Sequence, residues 1–282
     1  RSCARTLAGD NSPGFLLDGA PLRHRAFPSL YPVGHSRNLW RLVWHPGAMS
    51  EISGASILLV GATGGLGREL AKGLHERGAR LTLGSRHSSA LEALGVPGAH
   101  AVGDVTQPGV PEAYVAAALQ AHQGLDGVIF AAGAVAFGSV TDLGDEVLDD
   151  LWRVNTRAWM SVVRAATPAL AESATAGRAP FGVTLSGVVA ESPTAGIAAY
   201  SAVKSALHSF GIAAGRELRR QGIRLIDARP GHTETELSQH PLAGAAPVFP
   251  AGLSPAVVAR RILEAIENDE KDLPSTSFAG LS

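Results

Sequence analysis

Ser56-Ile57-Leu58-Leu59-Val60 is a short apolar run that passes directly into Gly61-Ala62-Thr63-Gly64-Gly65-Leu66-Gly67. The following stretch, Arg68-Glu69-Leu70-Ala71-Lys72-Gly73-Leu74, reads as a helix. A strand, a glycine turn and a helix in that order aim backbone N–H groups and the positive end of a helix at one spot, which suits a phosphate. Glycines are needed there because a Cβ would block close approach. A tight turn without a ligand has the same local pattern, so the rest of the chain has to decide between the two.

Working outward, the 234 residues from Met49 alternate short apolar runs with longer amphipathic stretches. That alternation predicts one α/β domain over residues 49–282, a Rossmann-like doubly wound parallel sheet of six to seven strands with helices on both faces. Strands are expected at 56–60, 80–83, 99–102, 127–131, 181–185 and 224–228, with a weak last one near Leu273 to Phe278. Helices are expected to begin near Gly65, Ser88, Pro111, Gly144, Ala198 and Pro255, and Ser254 before Pro255 reads as an N-cap followed by proline at the first helical position. Residues 1–48 hold five prolines, more arginine than acid and no sustained period, which predicts a disordered or non-native N-terminal extension. Met49 is then the start of the protein; the same Arg-rich, acid-poor composition also fits a targeting extension.

Composition excludes several functions. With 45% apolar and 17% charged residues the chain can bury a full core. A formal charge of −1, with basic residues spread along the chain, offers no footprint for nucleic acid or an anionic membrane. The longest weakly polar stretch, Gly127 to Val140, is interrupted by two glycines and is shorter than the ~20 apolar residues a spanning helix needs. The single cysteine, Cys3, lies in the extension, so the domain is expected to have no internal disulfide and to suit the cytoplasm. Ten histidines fall in no metal-ligating arrangement, and no metal is expected.

Tyr200-Ser201-Ala202-Val203-Lys204 places a phenol and an ammonium on one face of a helix expected to run to about Arg220. A nearby cation favours the phenolate and lowers a tyrosine from its usual pKa of about 10, which suits a general acid or base. Such a pair is common on helix surfaces. Here, however, it follows the glycine loop by about 140 residues, Ser186 ends a strand before it, and Asn155 lies in a preceding helix. Together with the G-x-x-x-G-x-G spacing of Gly61, Gly65 and Gly67, this resembles the short-chain dehydrogenase/reductase family and its Asn, Ser, Tyr, Lys tetrad. Val60 replaces the threonine that usually precedes the loop. Gly61, Gly64 and Gly67 also fit the extended branch of the family, but only 82 residues follow Tyr200, so the single-domain branch fits.

The resemblance implies an oxidoreductase that interconverts a carbonyl and a secondary alcohol. Tyr200 would be the proton donor or acceptor, Lys204 would hold ribose hydroxyls and keep Tyr200 acidic, and Asn155 would orient a water. The substrate-binding serine is less plain, because the commonest spacing falls on Gly187 and Ser186 stands one residue earlier. A one-residue slip at a strand end turns a side chain to the opposite face, so either the loop 188–199 is irregular enough to bring Ser186 in or the protein works without that hydroxyl. Implied cofactor contacts are Gly61, Thr63, Gly64, Gly65, Leu66 and Gly67 in the loop, and Asp104 and Val105 near the adenine. Ala132 and Gly133 would lie along the backbone, and Pro230, Gly231, Thr233 and Thr235 beside the nicotinamide, together with Tyr200 and Lys204. After the second strand there is no acid; Ser85 and Arg86 suit a 2′-phosphate, so NADP(H) is preferred and NAD(H) is possible. The segment 236–252 stands where relatives keep a mobile substrate lid. The resemblance further implies a homodimer or homotetramer acting on a small-molecule carbonyl or alcohol. Two alternatives stay open: a nucleotide-sensing binding protein with a degenerate site, suggested by Gly187, and an isomerase or dehydratase using the same proton relay.

Overall fold

Every side chain of β1 (Ser56–Val60) is buried, Ile57 and Leu59 against one face of the sheet and Leu58 and Val60 against the other. A parallel strand covered on both sides reads as a continuous apolar run rather than an alternation, and this explains the opening pentapeptide. The computed structural model describes residues 51–281; the extension expected over 1–48, with Cys3 and Met49, lies outside the described residues.

β1 pairs in parallel with β2 (Arg80–Ser85) on one side and β4 (Gly127–Phe130) on the other. With β3 (Ala99–Val102), β5 (Phe181–Leu185) and β6 (Arg224–Ala228) they form one six-stranded sheet in the order β3-β2-β1-β4-β5-β6. One face is covered by α1 (Gly65–Glu76), α2 (Ser88–Leu94) and α7 (Pro255–Glu267), and the other by α3 (Val110–His122), α5 (Ala158–Thr175) and α6 (Ala198–Leu218). α4 (Asp145–Trp152) runs through a π-helical turn, Arg153–Arg157, into α5. The strand order reverses between β1 and β4, which opens a crevice beyond their carboxyl ends. Among the described residues no helix is long and apolar enough to cross a membrane.

One expectation needs correction. The weak last strand near Leu273 to Phe278 does not form: Leu273 makes an isolated parallel bridge to Ala228, and Ser275–Phe278 is a 3₁₀ turn. Pro274, without an N–H, cannot extend a ladder. Ser254 is the N-cap of α7 and Pro255 its first residue, as expected; the serine side chain makes no capping bond, and the fixed φ of Pro255 suits the helix start.

At the amino end of the sheet, Asp126, just before β4, gathers three donors. Its carboxylate accepts from the Ser56 N–H (2.8 Å), the Ser173 hydroxyl (2.6 Å) and Arg178 (2.6 Å). These bonds tie the starts of β1 and β4 to the end of α5.

Candidate active site

The glycine loop sits at the crevice. Gly61 has φ +83°, and a Cβ there would lie 2.6 Å from the Ala132 amide nitrogen; a Cβ on Gly67 would collide with the Gly61 carbonyl oxygen. Glycine is therefore imposed by close packing of the loop on the end of β4 and on α1. Thr235 packs against the same loop, since a Cβ on Gly65 would meet its side chain at 2.9 Å. A cleft of about 290 Å³ between them is lined by Gly65, Arg68, Glu234, Thr235, Glu236 and Gln239. Gly64, the N-cap of α1, faces open space, with only Gly61 O within 3.6 Å of an added Cβ.

At the end of β2 the Thr63 and Ser85 hydroxyls lie 2.9 Å apart, and Arg86 beside them is exposed. Asp104 closes a turn, accepting from the Thr106 N–H (2.9 Å) and hydroxyl (2.8 Å), while Val105 is buried in the core. Pro230 accepts from the Val188 N–H (2.9 Å), and Thr233 donates to Gly231 O (3.1 Å), which shapes the segment leading to Thr235.

Tyr200 and Lys204 share one face of α6, with the Lys204 ammonium 5.6 Å from the centre of the Tyr200 ring. Asn155, fully buried in the π-helical turn, accepts from the Ala134 N–H (3.3 Å) and donates to Ala134 O and Leu151 O (both 2.9 Å). Gly133 joins the group: a Cβ there would stand 3.2 Å from Asn155 Oδ1 and 3.9 Å from Lys204 Nζ. Burial pulls the Lys204 ammonium down to about 8, opposed by the charge of Asp227. The Tyr200 phenol, contrary to the expected lowering, is pushed up by burial. The physical reason is that Lys204 lies over the ring face, so loss of water around the hydroxyl outweighs the cation.

Ser186 goes elsewhere. It is fully buried, its N–H donates to Asp227 Oδ1 (3.1 Å) and its hydroxyl to Asp227 Oδ2 (2.6 Å), so it faces the sheet interior and not the cleft. The same carboxylate lies 2.7 Å from His208 Nδ1 and 3.2 Å from Arg229, which in turn binds Asp272 (2.7 Å) and Glu191. Gly187 has φ +77°, where a serine would be strained, and its N–H donates to Ala228 O (3.2 Å). The loop after β5 thus leaves position 187 without a hydroxyl.

The family model described as short chain dehydrogenase matches residues 55–244. The chain belongs to this family. Dehydrogenase/reductase SDR family member 7B from Mus musculus is 27% identical over 259 residues, covering 86% of this chain and 79% of its own. An L-rhamnose 1-dehydrogenase (NAD(P)(+)) from Sphingomonas sp. (strain SKA58) is 27% identical over 204 residues, covering 69% of this chain and 79% of its own. Among solved structures, a short chain dehydrogenase from Burkholderia cenocepacia J2315 in complex with NADP superposes with TM-score 0.68 at 25% identity, covering 79% of this chain and 89% of that one. A 3-ketoacyl-(acyl-carrier-protein) reductase from Brucella melitensis complexed with NADH has TM-score 0.71 at 20% identity, covering 80% and 99%, and shares the fold.

As a short-chain dehydrogenase, the chain offers surfaces that fit a dinucleotide: an open helix N-terminus at Gly64, exposed Gly133 beside the Lys204 ammonium, and exposed Arg86 at the end of β2. The segment 236–252 is largely exposed but touches the rest of the domain at a few points. Leu242 donates to Val135 O (2.8 Å), Ala243 O accepts from Phe137 (2.9 Å), and Phe249 stacks on His232 at 4.5 Å. Two residues near the site were not singled out from sequence, Asp227 and His208. The first is an acid inside the apolar strand β6, and the second lies one turn beyond Lys204 on the face that carries Tyr200. Asp227 is visible once a charge in a buried run is treated as an anomaly, whereas His208, part-exposed on α6, carries no such signal.

Proposed function

We propose that this short-chain dehydrogenase is an NADP(H)-dependent carbonyl reductase in which Tyr200 donates the proton. The observation that carries the reading is the convergence of Tyr200, Lys204, Asn155 and Gly133 at the crevice where the strand order reverses. When bound, the dinucleotide supplies the hydride. Tyr200, held protonated by burial, suits donation to a carbonyl oxygen, which favours the reductive direction. Lys204 supplies positive charge beside the phenol as it becomes phenolate and offers N–H donors for ribose hydroxyls. Asn155 fixes Ala134, and so Gly133, through both ends of its amide. Arg86, with Ser85 and Thr63, suits the 2′-phosphate that separates NADP(H) from NAD(H), in keeping with the NADP complex of the Burkholderia relative.

The test is NADPH oxidation with a panel of ketones and aldehydes. Tyr200→Phe is expected to lower kcat by about 10²- to 10⁴-fold. Arg86→Ala should weaken NADPH by about ten- to a hundredfold while changing NADH little, which isothermal titration would read. A specific observation favours a second reading, a nucleotide-sensing protein: Gly187 carries no hydroxyl and Ser186 is committed to Asp227. That reading expects NADPH to raise Tm without turnover, and turnover abolished by Tyr200→Phe excludes it.

A further inference from the structure

We propose that Asp227 is a positioning residue for Lys204, its buried carboxylate fixing the ammonium and preserving its charge through the single peptide unit that joins Leu185 to Ser186. At one end of that unit Lys204 Nζ donates to Leu185 O (2.7 Å). At the other, the Ser186 N–H donates to Asp227 Oδ1 (3.1 Å), and the Ser186 hydroxyl clamps Oδ2 (2.6 Å). Cation, peptide dipole and anion therefore lie head to tail, and each hydrogen bond in such a chain polarises the next.

The peptide spacer has a chemical advantage over a direct ion pair. An ammonium has three N–H donors, and this arrangement uses one of them on Leu185 O, so Asp227 does not draw the lysine out of the cleft. It also answers a need. Lys204 is only 5% exposed, and a buried ammonium loses its proton easily unless a negative charge opposes the loss. Around Lys204 stand Tyr200 on its own helix and Gly133, which Asn155 on the π-helical turn also adjoins; Asp227 on β6 acts on its charge, and Arg229 and His208 bind that carboxylate at Oδ2. Arg229 gives donors to Asp272 and Glu191 as well as to Asp227.

The value of this coupling for catalysis rests on the reductase reading; the coupling itself does not. The chain has three lysines, Lys72, Lys204 and Lys271, so lysine labelled with ¹³C at Cε gives a spectrum in which Lys204 is assigned by Lys204→Arg. In the unmodified protein the Lys204 resonance should titrate near pH 8, the value to which its burial brings it. In Asp227→Asn the midpoint should fall by roughly one pH unit, with Lys72 and Lys271 unmoved. Asp272→Asn, which loosens Arg229 but leaves the 185–186 peptide alone, should not move it. An unchanged Lys204 midpoint in Asp227→Asn overturns the proposal. Should that variant not fold, the unmodified chain still decides: the Ser186 amide proton must shift with the Lys204 midpoint, and a Ser186 resonance that stays still through it overturns the relay. Neither readout needs a dinucleotide, so absence of NADPH turnover would sink the reductase reading while leaving this measurement interpretable.

Discussion

Asp126 and Asp227 sit at opposite ends of the same sheet and are built alike. Each buried carboxylate accepts from a backbone N–H, a serine hydroxyl and a cationic or imidazole side chain. They differ in what lies behind the accepted N–H. Behind Ser56 is the start of β1, and the Arg178 partner is half-exposed, so Asp126 joins strand starts and little else. Behind Ser186 is the Leu185 carbonyl, and behind that the Lys204 ammonium. The crevice of a doubly wound fold lies at the carboxyl ends of its strands, so the same polar device is structural at one end and electrostatic at the other.

Three substitutions can break or sharpen this contrast. The largest loss of stability should follow Asp126→Ala, about 2–4 kcal/mol by denaturant midpoint, because the Ser56 N–H and Ser173 hydroxyl are left buried without an acceptor. The shape of its kcat/KM pH profile should not change; a displaced alkaline limb would erase the distinction between the two ends. Asp227→Asn should cost less, about 1–2 kcal/mol, because the amide oxygen still accepts from Ser186. Its effect should appear instead on the pH axis. The active form carries a charged Lys204, whose proton leaves near pH 8 on raising the pH. Without the carboxylate the proton leaves earlier, so the alkaline limb of kcat/KM should move to lower pH by about one unit. Asp272→Asn should be the mildest, about 0.5 kcal/mol with no displacement of the limb, since Asp272 is a mostly exposed partner of Arg229.

Much of the architecture was readable in the chain. The runs around Ile57, Leu81, Val128, Val183 and Leu225 became strands, and the glycine loop fell at the strand-to-helix turn. Tyr200 and Lys204 emerged on one helical face, and Asn155 came to the same site through a π-helical turn that helical periodicity does not announce. The expected seventh strand failed because Pro274 interrupts a run that otherwise looks extended. The expected lowering of the Tyr200 phenol failed because spacing along a helix brings a cation near without specifying whether it meets the hydroxyl or the ring face.

Local pattern was sufficient for the sheet, the loop and the helix that carries Tyr200 and Lys204, because periodicity and glycine sterics are properties of a few consecutive residues. The fate of Ser186 and the partner of Lys204 depended on folding at longer range. Lys204 meets Leu185 across 19 residues and Ser186 meets Asp227 across 41, so which groups share a buried space, and hence which charges they keep, is set only when the strand ends and α6 are packed together.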